Sequence, residues 1–320
     1  MNSDILITGA AGFIGSNLTS TLLKKGFKIT GLDNFSKYYS RKIKENNLKP
    51  LLKNKNFSFI NLDLAKNSLV KNIPPSPIVI HLAAQPGVRA SWGKSFNIYT
   101  RDNIIGMQNI LEWSVQNEVE RFIFSSSSSI YGDTDILPMD ERKSSLNPIS
   151  PYGSTKLMGE NLCYIYKKNF GLNTINLRFF SVYGPGQRPD MAFFRIIRAA
   201  LTGNEFILFG DGKQTRDFTY VKDIINGIEG ALKVNIKKYY TFNLGGGHRV
   251  NMNRVIELIS TILKKKINIK KINFQKGDVK NTLSRNTLAK KYLDYKPSFS
   301  LKDGLKNQIK WLKNNLNILS

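Results

Sequence analysis

Short apolar runs recur along this chain, separated by longer stretches in which apolar residues return every three or four positions. The runs Asp4–Thr8, Lys28–Asp33, Phe57–Asn61, Ile78–Leu82, Arg121–Ser125 and Thr174–Arg178 predict strands buried among helices. Ile14–Lys25, Ile104–Asn117 and Pro151–Phe170 carry helical spacing. Strand and helix in alternation predict an α/β fold, a doubly wound parallel sheet with helices on both faces. Past Phe180, Gly-Pro and Gly-Asp-Gly turns become frequent. The chain is therefore expected to divide into a sheet domain over 1–180 and a smaller C-terminal α/β lobe over 181–320. Tyr240–Leu244 is a candidate strand for return to the main sheet.

Composition narrows the class of protein. The chain has 320 residues, 41% of them hydrophobic, enough for a full core and against wholesale disorder. No stretch approaches the roughly 18 apolar residues of a membrane span, so no membrane partner is expected. Met1 to Asp4 lead directly into an apolar run, which leaves no room for a secretory signal. Cys163 is the only cysteine, so an intrachain disulfide is excluded and a reducing, cytoplasmic setting fits. His81 and His248 have no metal-ligand spacing with Cys163, and no metal is expected. The formal net charge is +25, yet the lysines are scattered and no aromatic-interleaved basic segment accompanies them. No specific nucleic-acid partner is expected. The basic surface reads as a field favouring a phosphate-bearing substrate, with RNA binding or a regulatory role as the non-enzyme alternative.

Chemistry enters with Gly9-Ala10-Ala11-Gly12-Phe13-Ile14-Gly15, which follows the first strand at once and opens a helix. Gly9, Gly12 and Gly15 allow a tight turn, approach of backbone to a pyrophosphate, and close helix–strand packing. The helix N-terminus adds free N–H groups and a positive dipole end. Asp33 ends the second strand, where a carboxylate accepts hydrogen bonds from ribose hydroxyls and repels a 2′-phosphate. NAD is thus expected over NADP.

Tyr152 and Lys156 stand at i and i+4 of a predicted helix and share one face. An ammonium close to a phenol favours the phenolate and pulls its pKa down from about 10, toward the range of a general base. The serines Ser125 to Ser129 lie at the end of the fifth strand, and ligands of open parallel sheets bind outside those carboxyl ends.

With its Gly-x-x-Gly-x-x-Gly loop, Asp63-Leu64 and His81-Leu82-Ala83-Ala84-Gln85, the chain resembles the extended short-chain dehydrogenase/reductase superfamily, a Rossmann-type fold. The resemblance implies that Asp63 bonds the adenine amino group, that Leu64 touches the ring, and that Ala83 and Ala84 let backbone approach the middle of the cofactor. Phe13, Ile14, Asn34 and Leu82 join the cofactor set, and His81 is structural. It implies a triad of Ser127, Tyr152 and Lys156, with Ser128 the next choice for the serine. Ser128 and Ser129 stand where related dehydratases and decarboxylases carry acidic residues. Elimination is therefore disfavoured, and oxidation followed by re-reduction is expected.

Over nearly its whole length the chain resembles the nucleotide-sugar 4-epimerases, and the UDP-glucuronate 4-epimerases most closely. The segments are Asp33-Asn34-Phe35-Ser36-Lys37-Tyr38-Tyr39, Ala84-Gln85-Pro86-Gly87-Val88-Arg89, Arg178 through Pro185, Arg188-Pro189-Asp190-Met191-Ala192, Thr215 through Tyr220, and Gly277-Asp278-Val279. Departures include Ser181 for the usual threonine, Gly186-Gln187, Lys276 and Arg285. The resemblance implies a UDP-sugar substrate touched by Arg89, Ser128, Ser181, Arg188, Arg216 and Asp278. Arg216 is a candidate phosphate clamp. Arg188 is a candidate fork for a sugar carboxylate, with a turn residue or diphosphate contact as the alternative reading. UDP-glucose, UDP-N-acetylglucosamine or a net dehydrogenase reaction are the enzymatic alternatives. By the same resemblance, Ile104–Asn117 and Pro151–Phe170 are expected to pair in a homodimer.

Overall fold

The computed structural model describes residues 4–66, 70–235 and 240–319. Residues 1–3, on which the reading of the N-terminus partly rests, lie outside the described residues.

The strands are β1 (Ile5–Thr8), β2 (Ile29–Asp33), β3 (Phe57–Asn61), β4 (Ile78–His81), β5 (Arg121–Ser127), β6 (Thr174–Phe179), β7 (Ser181–Tyr183), β8 (Phe206–Phe209), β9 (Thr215–Tyr220), β10 (Tyr240–Leu244), β11 (Arg249–Asn251) and β12 (Ile269–Ile272). The helices used below are α1 (Phe13–Lys24), α2 (Arg41–Leu48), α3 (Phe96–Thr100), α4 (Gly106–Gln116), α5 (Pro151–Phe170), α6 (Ala192–Thr202) and α7 (Val221–Lys233).

Seven strands form one sheet in the order β10-β6-β5-β4-β1-β2-β3, and every pairing within it is parallel. From β1 the chain winds outward through β2 and β3, then returns to β4 on the other side and winds outward again. That reversal opens a crevice beyond the carboxyl ends of β1 and β4, the place where such sheets bind ligands. Both faces are covered. One apolar cluster includes Ile5, Ile7, Ile80 and Ile123, and a second on the opposite face includes Leu6, Val79, Phe122 and Phe124. This accounts for apolar runs without strict alternation.

The first cluster continues without a break into the later chain, through Phe193, Ile224, Val255 and Leu305. Tyr240–Leu244 pairs with β6 in register from Tyr240↔Ile175 to Leu244↔Phe179. Two smaller sheets, β11-β9-β7 and β12-β8, stand beyond the crevice.

Helix α5 spans Pro151–Phe170, the range its sequence predicts, because its ends are locally encoded. Ser150 accepts a hydrogen bond from the Gly153 N–H at 3.1 Å, Pro151 takes the first turn, and Gly171 closes the helix at φ 73°. The segment expected as one helix over Ile104–Asn117 is different. It is a continuous helical path that begins at Phe96 as α3, widens into a π-turn over Arg101–Ile105, and resumes as α4. The cause is buried Asn103, whose Oδ1 accepts from Gln85 N–H and whose Nδ2 donates to Gln85 O and Thr155 Oγ1. A polar anchor of that kind is not visible in apolar spacing.

Candidate active site

At the N-terminus of α1, Gly12 supplies no side-chain cap and the first turn holds no acidic residue. Its amides and dipole are thus free to meet an anion. Gly9 has φ 73°, and a Cβ there would lie 2.9 Å from Ala83 N; at Gly15 it would collide with Gly9 O. These two glycines bring loop, helix and the β4 end together.

Asp33 Oδ1 accepts from Phe35 N–H at 2.8 Å and from Lys44 Nζ at 3.2 Å. Its Oδ2 has no protein partner among the described residues and suits a ribose diol. Lys44, buried on α2, was not foreseen. Its signal is its position beside Ile43 and four residues before Leu48, on the buried face of α2. Its ammonium offsets part of the Asp33 charge, so rejection of a 2′-phosphate is weaker than Asp33 alone implies.

Asp63 accepts from Ala65 N–H at 3.1 Å and pairs with Arg101, which also holds Asp102. With Phe13, Ile14, Asn34, Leu64, Leu82, Ala83 and Ala84, Asp33, Lys44, Asp63 and Asp102 wall a cleft of about 400 Å³. The donor set, the crowded glycines and the free helix N-terminus fit NAD.

The same cleft is closed by Ser127, Ser128, Tyr152, Lys156, Ser181 and Arg188. Ser127 ends β5, and its Oγ accepts from Ser129 N–H at 3.1 Å. The Tyr152 phenol lines the same cleft, with Ser127 among the groups that act on it. Lys156 is 4% exposed and donates to Ser125 O at 2.8 Å. The expectation that Lys156 pulls the phenol down is corrected here. Burial raises the Tyr152 pKa, and the groups that oppose it are Arg188 and Ser127. Sharing a helix face brought Lys156 against the last part of β5, where its ammonium donates to the Ser125 carbonyl. Burial pushes Lys156 down to about 7, partly offset by Cys163 and Glu160.

His81 has a structural environment: 1% exposed, its Nδ1 2.8 Å from Thr8 Oγ1.

Arg89, Arg216 and Asp278 lie apart from the triad. They line an adjoining cavity of about 640 Å³, which meets the first along Tyr38, Gly87, Val88, Ser181, Val182 and Met191. Arg89 grips Asp278 with both Nε and Nη2, at 3.0 and 2.6 Å, and lies 3.9 Å over the Phe209 ring. Arg216 donates through Nη1 to Thr215 O and Lys280 O, each at 3.0 Å. Arg195, Phe206 and Phe209 complete an aromatic and cationic wall suited to a base and its phosphates, and the sequence alone did not single them out.

Arg188 is held by Asp190 through Nε and Nη2, both at 3.0 Å, and its Nη1 has no protein partner among the described residues. Asp190 was not foreseen as a site residue either. It stands two residues from Arg188 in a quoted motif, but the pairing needs the turn between them.

Residues 5–245 match the model of the NAD dependent epimerase/dehydratase family. A Bacillus subtilis (strain 168) protein described as an uncharacterized UDP-glucose epimerase is 43% identical over 309 residues, 96% of this chain and 97% of that protein. The UDP-glucuronate 4-epimerase of Thermodesulfobacterium geofontis (strain OPF15) is 38% identical over 318 residues, covering 98% and 97%. The crystal structure of UDP-glucuronic acid 4-epimerase from Bacillus cereus, in complex with UDP-glucuronic acid and NAD, matches with a TM-score of 0.93. It is 40% identical, over 98% of this chain and 99% of that one.

Proposed function

This chain belongs to the NAD dependent epimerase/dehydratase family, and from that premise we propose that it inverts C4 of a UDP-sugar, converting UDP-glucuronate to UDP-galacturonate. The observation that carries this reading is the meeting of Ser127, Tyr152 and Arg188 in one cleft beside the NAD-binding loop.

Bound NAD would supply a reversible hydride acceptor, regenerated in each cycle, held by the glycine loop, Asp33 and Asp63. Tyr152 takes the proton of the 4-hydroxyl, and Ser127 holds O4 through its hydroxyl. Lys156, which already donates to Ser125 O, keeps further N–H donors for the ribose beside the reacting ring. Ser128 and Ser129 lack the acid and base groups needed to expel water, which leaves inversion through a 4-keto sugar. Arg89 and Arg216 receive the diphosphate, with Asp278 orienting Arg89. The free Nη1 of Arg188 and the Ser181 hydroxyl receive the sugar carboxylate. A 4-keto uronate is a β-keto acid, so holding that carboxylate out of line with the carbonyl π system also protects it from loss of carbon dioxide. In this reading residues 1–180, with Tyr240–Leu244, chiefly serve the cofactor and the remainder of 181–320 the nucleotide sugar. The single cysteine is consistent with a cytoplasmic setting.

The test compares UDP-glucuronate, UDP-glucose and UDP-N-acetylglucosamine with the wild-type protein and Arg188→Ala. UDP-glucuronate should be the best substrate, and Arg188→Ala should lower its kcat/KM by about tenfold to a hundredfold with far less effect on UDP-glucose. A neutral UDP-sugar turned over best, with Arg188→Ala neutral, replaces the uronate reading by a UDP-glucose or UDP-N-acetylglucosamine 4-epimerase. That second reading is favoured by one observation, the carboxylate of Asp190 already seated on Arg188.

A further inference from the structure

The loop between β2 and α2 starts at Asp33 and runs along the cofactor cleft. Its first half is built on local bonds, from Phe35 N–H to Asp33 Oδ1 at 2.8 Å and from Ser36 N–H to Asn34 Oδ1 at 2.9 Å. Its second half reaches across the crevice. The Tyr38 hydroxyl donates to Asp190 Oδ2 at 3.2 Å, a contact between residues 152 positions apart. Asp190 is in turn clasped by Arg188, whose guanidinium lies 5.9 Å from the Tyr38 ring centroid. The Tyr38 ring leans on Gly87, where any Cβ would collide with its hydroxyl. That support is itself pinned, because the Tyr99 hydroxyl donates to the carbonyls of Pro86 and Gly87 at 2.8 and 2.7 Å. Tyr38 therefore stands at the seam between the cofactor cleft and the adjoining cavity, lining both.

We propose that Tyr38 and Asp190 form a latch that holds this loop over bound NAD, and that Arg188 sets the latch by clasping Asp190. The inference rests on NAD binding, not on which sugar is used. An enzyme that oxidises and then re-reduces one substrate must keep its cofactor through the whole cycle, and a loop tied only at its Asp33 end leaves the cleft free to open. Burial and the Asp190 carboxylate both raise the Tyr38 pKa above the ordinary phenol value, so its hydroxyl remains a donor across the working pH range. The clasp uses Nε and Nη2 of Arg188 and leaves Nη1 for a ligand, so the latch and a substrate carboxylate can be held together. Tyr38 and Asp190 are positioning residues in this arrangement, acting on the cofactor through the loop.

The experiment follows release of NAD from purified holoenzyme, freed of unbound cofactor by gel filtration, with alcohol dehydrogenase reporting NAD as it appears. Wild type is compared with Tyr38→Phe, Asp190→Ala and the double variant. Tyr38→Phe keeps the ring on Gly87 and removes only the donor, so folding is not at stake. Each single variant should release NAD about tenfold faster, as expected for loss of one half-exposed hydrogen bond to a carboxylate. The double variant should be no faster than the faster single, because both remove the same contact. Unchanged release in Tyr38→Phe overturns the latch, and so do effects that multiply in the double variant. No sugar is present, so a failed epimerase assay bears on the proposed function alone.

Discussion

At the level of single residues, burial raises the pKa of the Tyr152 phenol further than Arg188 and Ser127 lower it. Its role as base therefore depends on charge arriving and shifting around it during the reaction. Tyr152→Phe keeps the ring and removes only the proton-transfer group. It should lower kcat by about a hundredfold to ten-thousandfold while NAD remains bound; near-normal turnover would remove Tyr152 from the mechanism. His81 gives a second prediction. Burial, with Lys156 nearby, pushes its pKa down to about 3. Below about pH 6.5 the unfolded chain takes up a proton that the native ring refuses until about pH 3. The stability it permits is complete above 6.5 and is lost as pH falls toward 3, about 2 kcal/mol of it by pH 5. Urea titrations at pH 7 and pH 5 read the loss, and NMR of the ring in the native protein checks its origin. Titration of native His81 near 6.5 would sink the explanation.

At the level of elements, what was legible depended on whether an end or a face is encoded nearby. Helix α5 is bounded by Ser150, Pro151 and Gly171, and its extent follows from those residues. The β1–loop–α1 unit is equally local, since three glycines and an apolar strand are adjacent in the chain. The helix expected over Ile104–Asn117 is present as α4, but the π-turn and α3 before it were not legible, because Asn103 is fastened to Gln85 and Thr155, which no local pattern announces. Helix α5 is also fastened from below. Glu160 takes Arg178 of β6 in a buried bidentate pair at 2.9 and 2.7 Å, and Arg178 donates to the Tyr131 hydroxyl. That pair fixes how α5 sits on the sheet and hence where Tyr152 and Lys156 stand, although neither partner touches the cleft. Breaking one side would leave a buried charge without compensation.

At the level of the whole molecule, the outer faces of the α3–α4 path and of α5 expose Phe96, Ile98, Ile105, Met158, Tyr164, Ile165 and Phe170. So many large apolar side chains on neighbouring helices suit burial against a second copy. Light scattering should report a homodimer, and Ile165→Glu combined with Phe170→Glu should shift it toward monomer; a monomeric wild-type protein would overturn the assignment. The sequence by itself determined the sheet strands, the glycine loop, Asp33, the helix that carries Tyr152 and Lys156, and the absence of acids at Ser128 and Ser129. Each is a property of residues close together, where sterics, capping and periodicity act without reference to the rest of the chain. Tertiary structure alone decided that Lys156 donates to Ser125 O, that Lys44 shares Asp33, and that Tyr38, Asp190 and Arg188 meet above the cofactor cleft, and it turned the candidate strand Tyr240–Leu244 into a neighbour of β6. Those contacts join segments up to 152 residues apart. Their geometry is set by how the sheet, the helices and the later chain pack as one core, and local pattern carries no record of that.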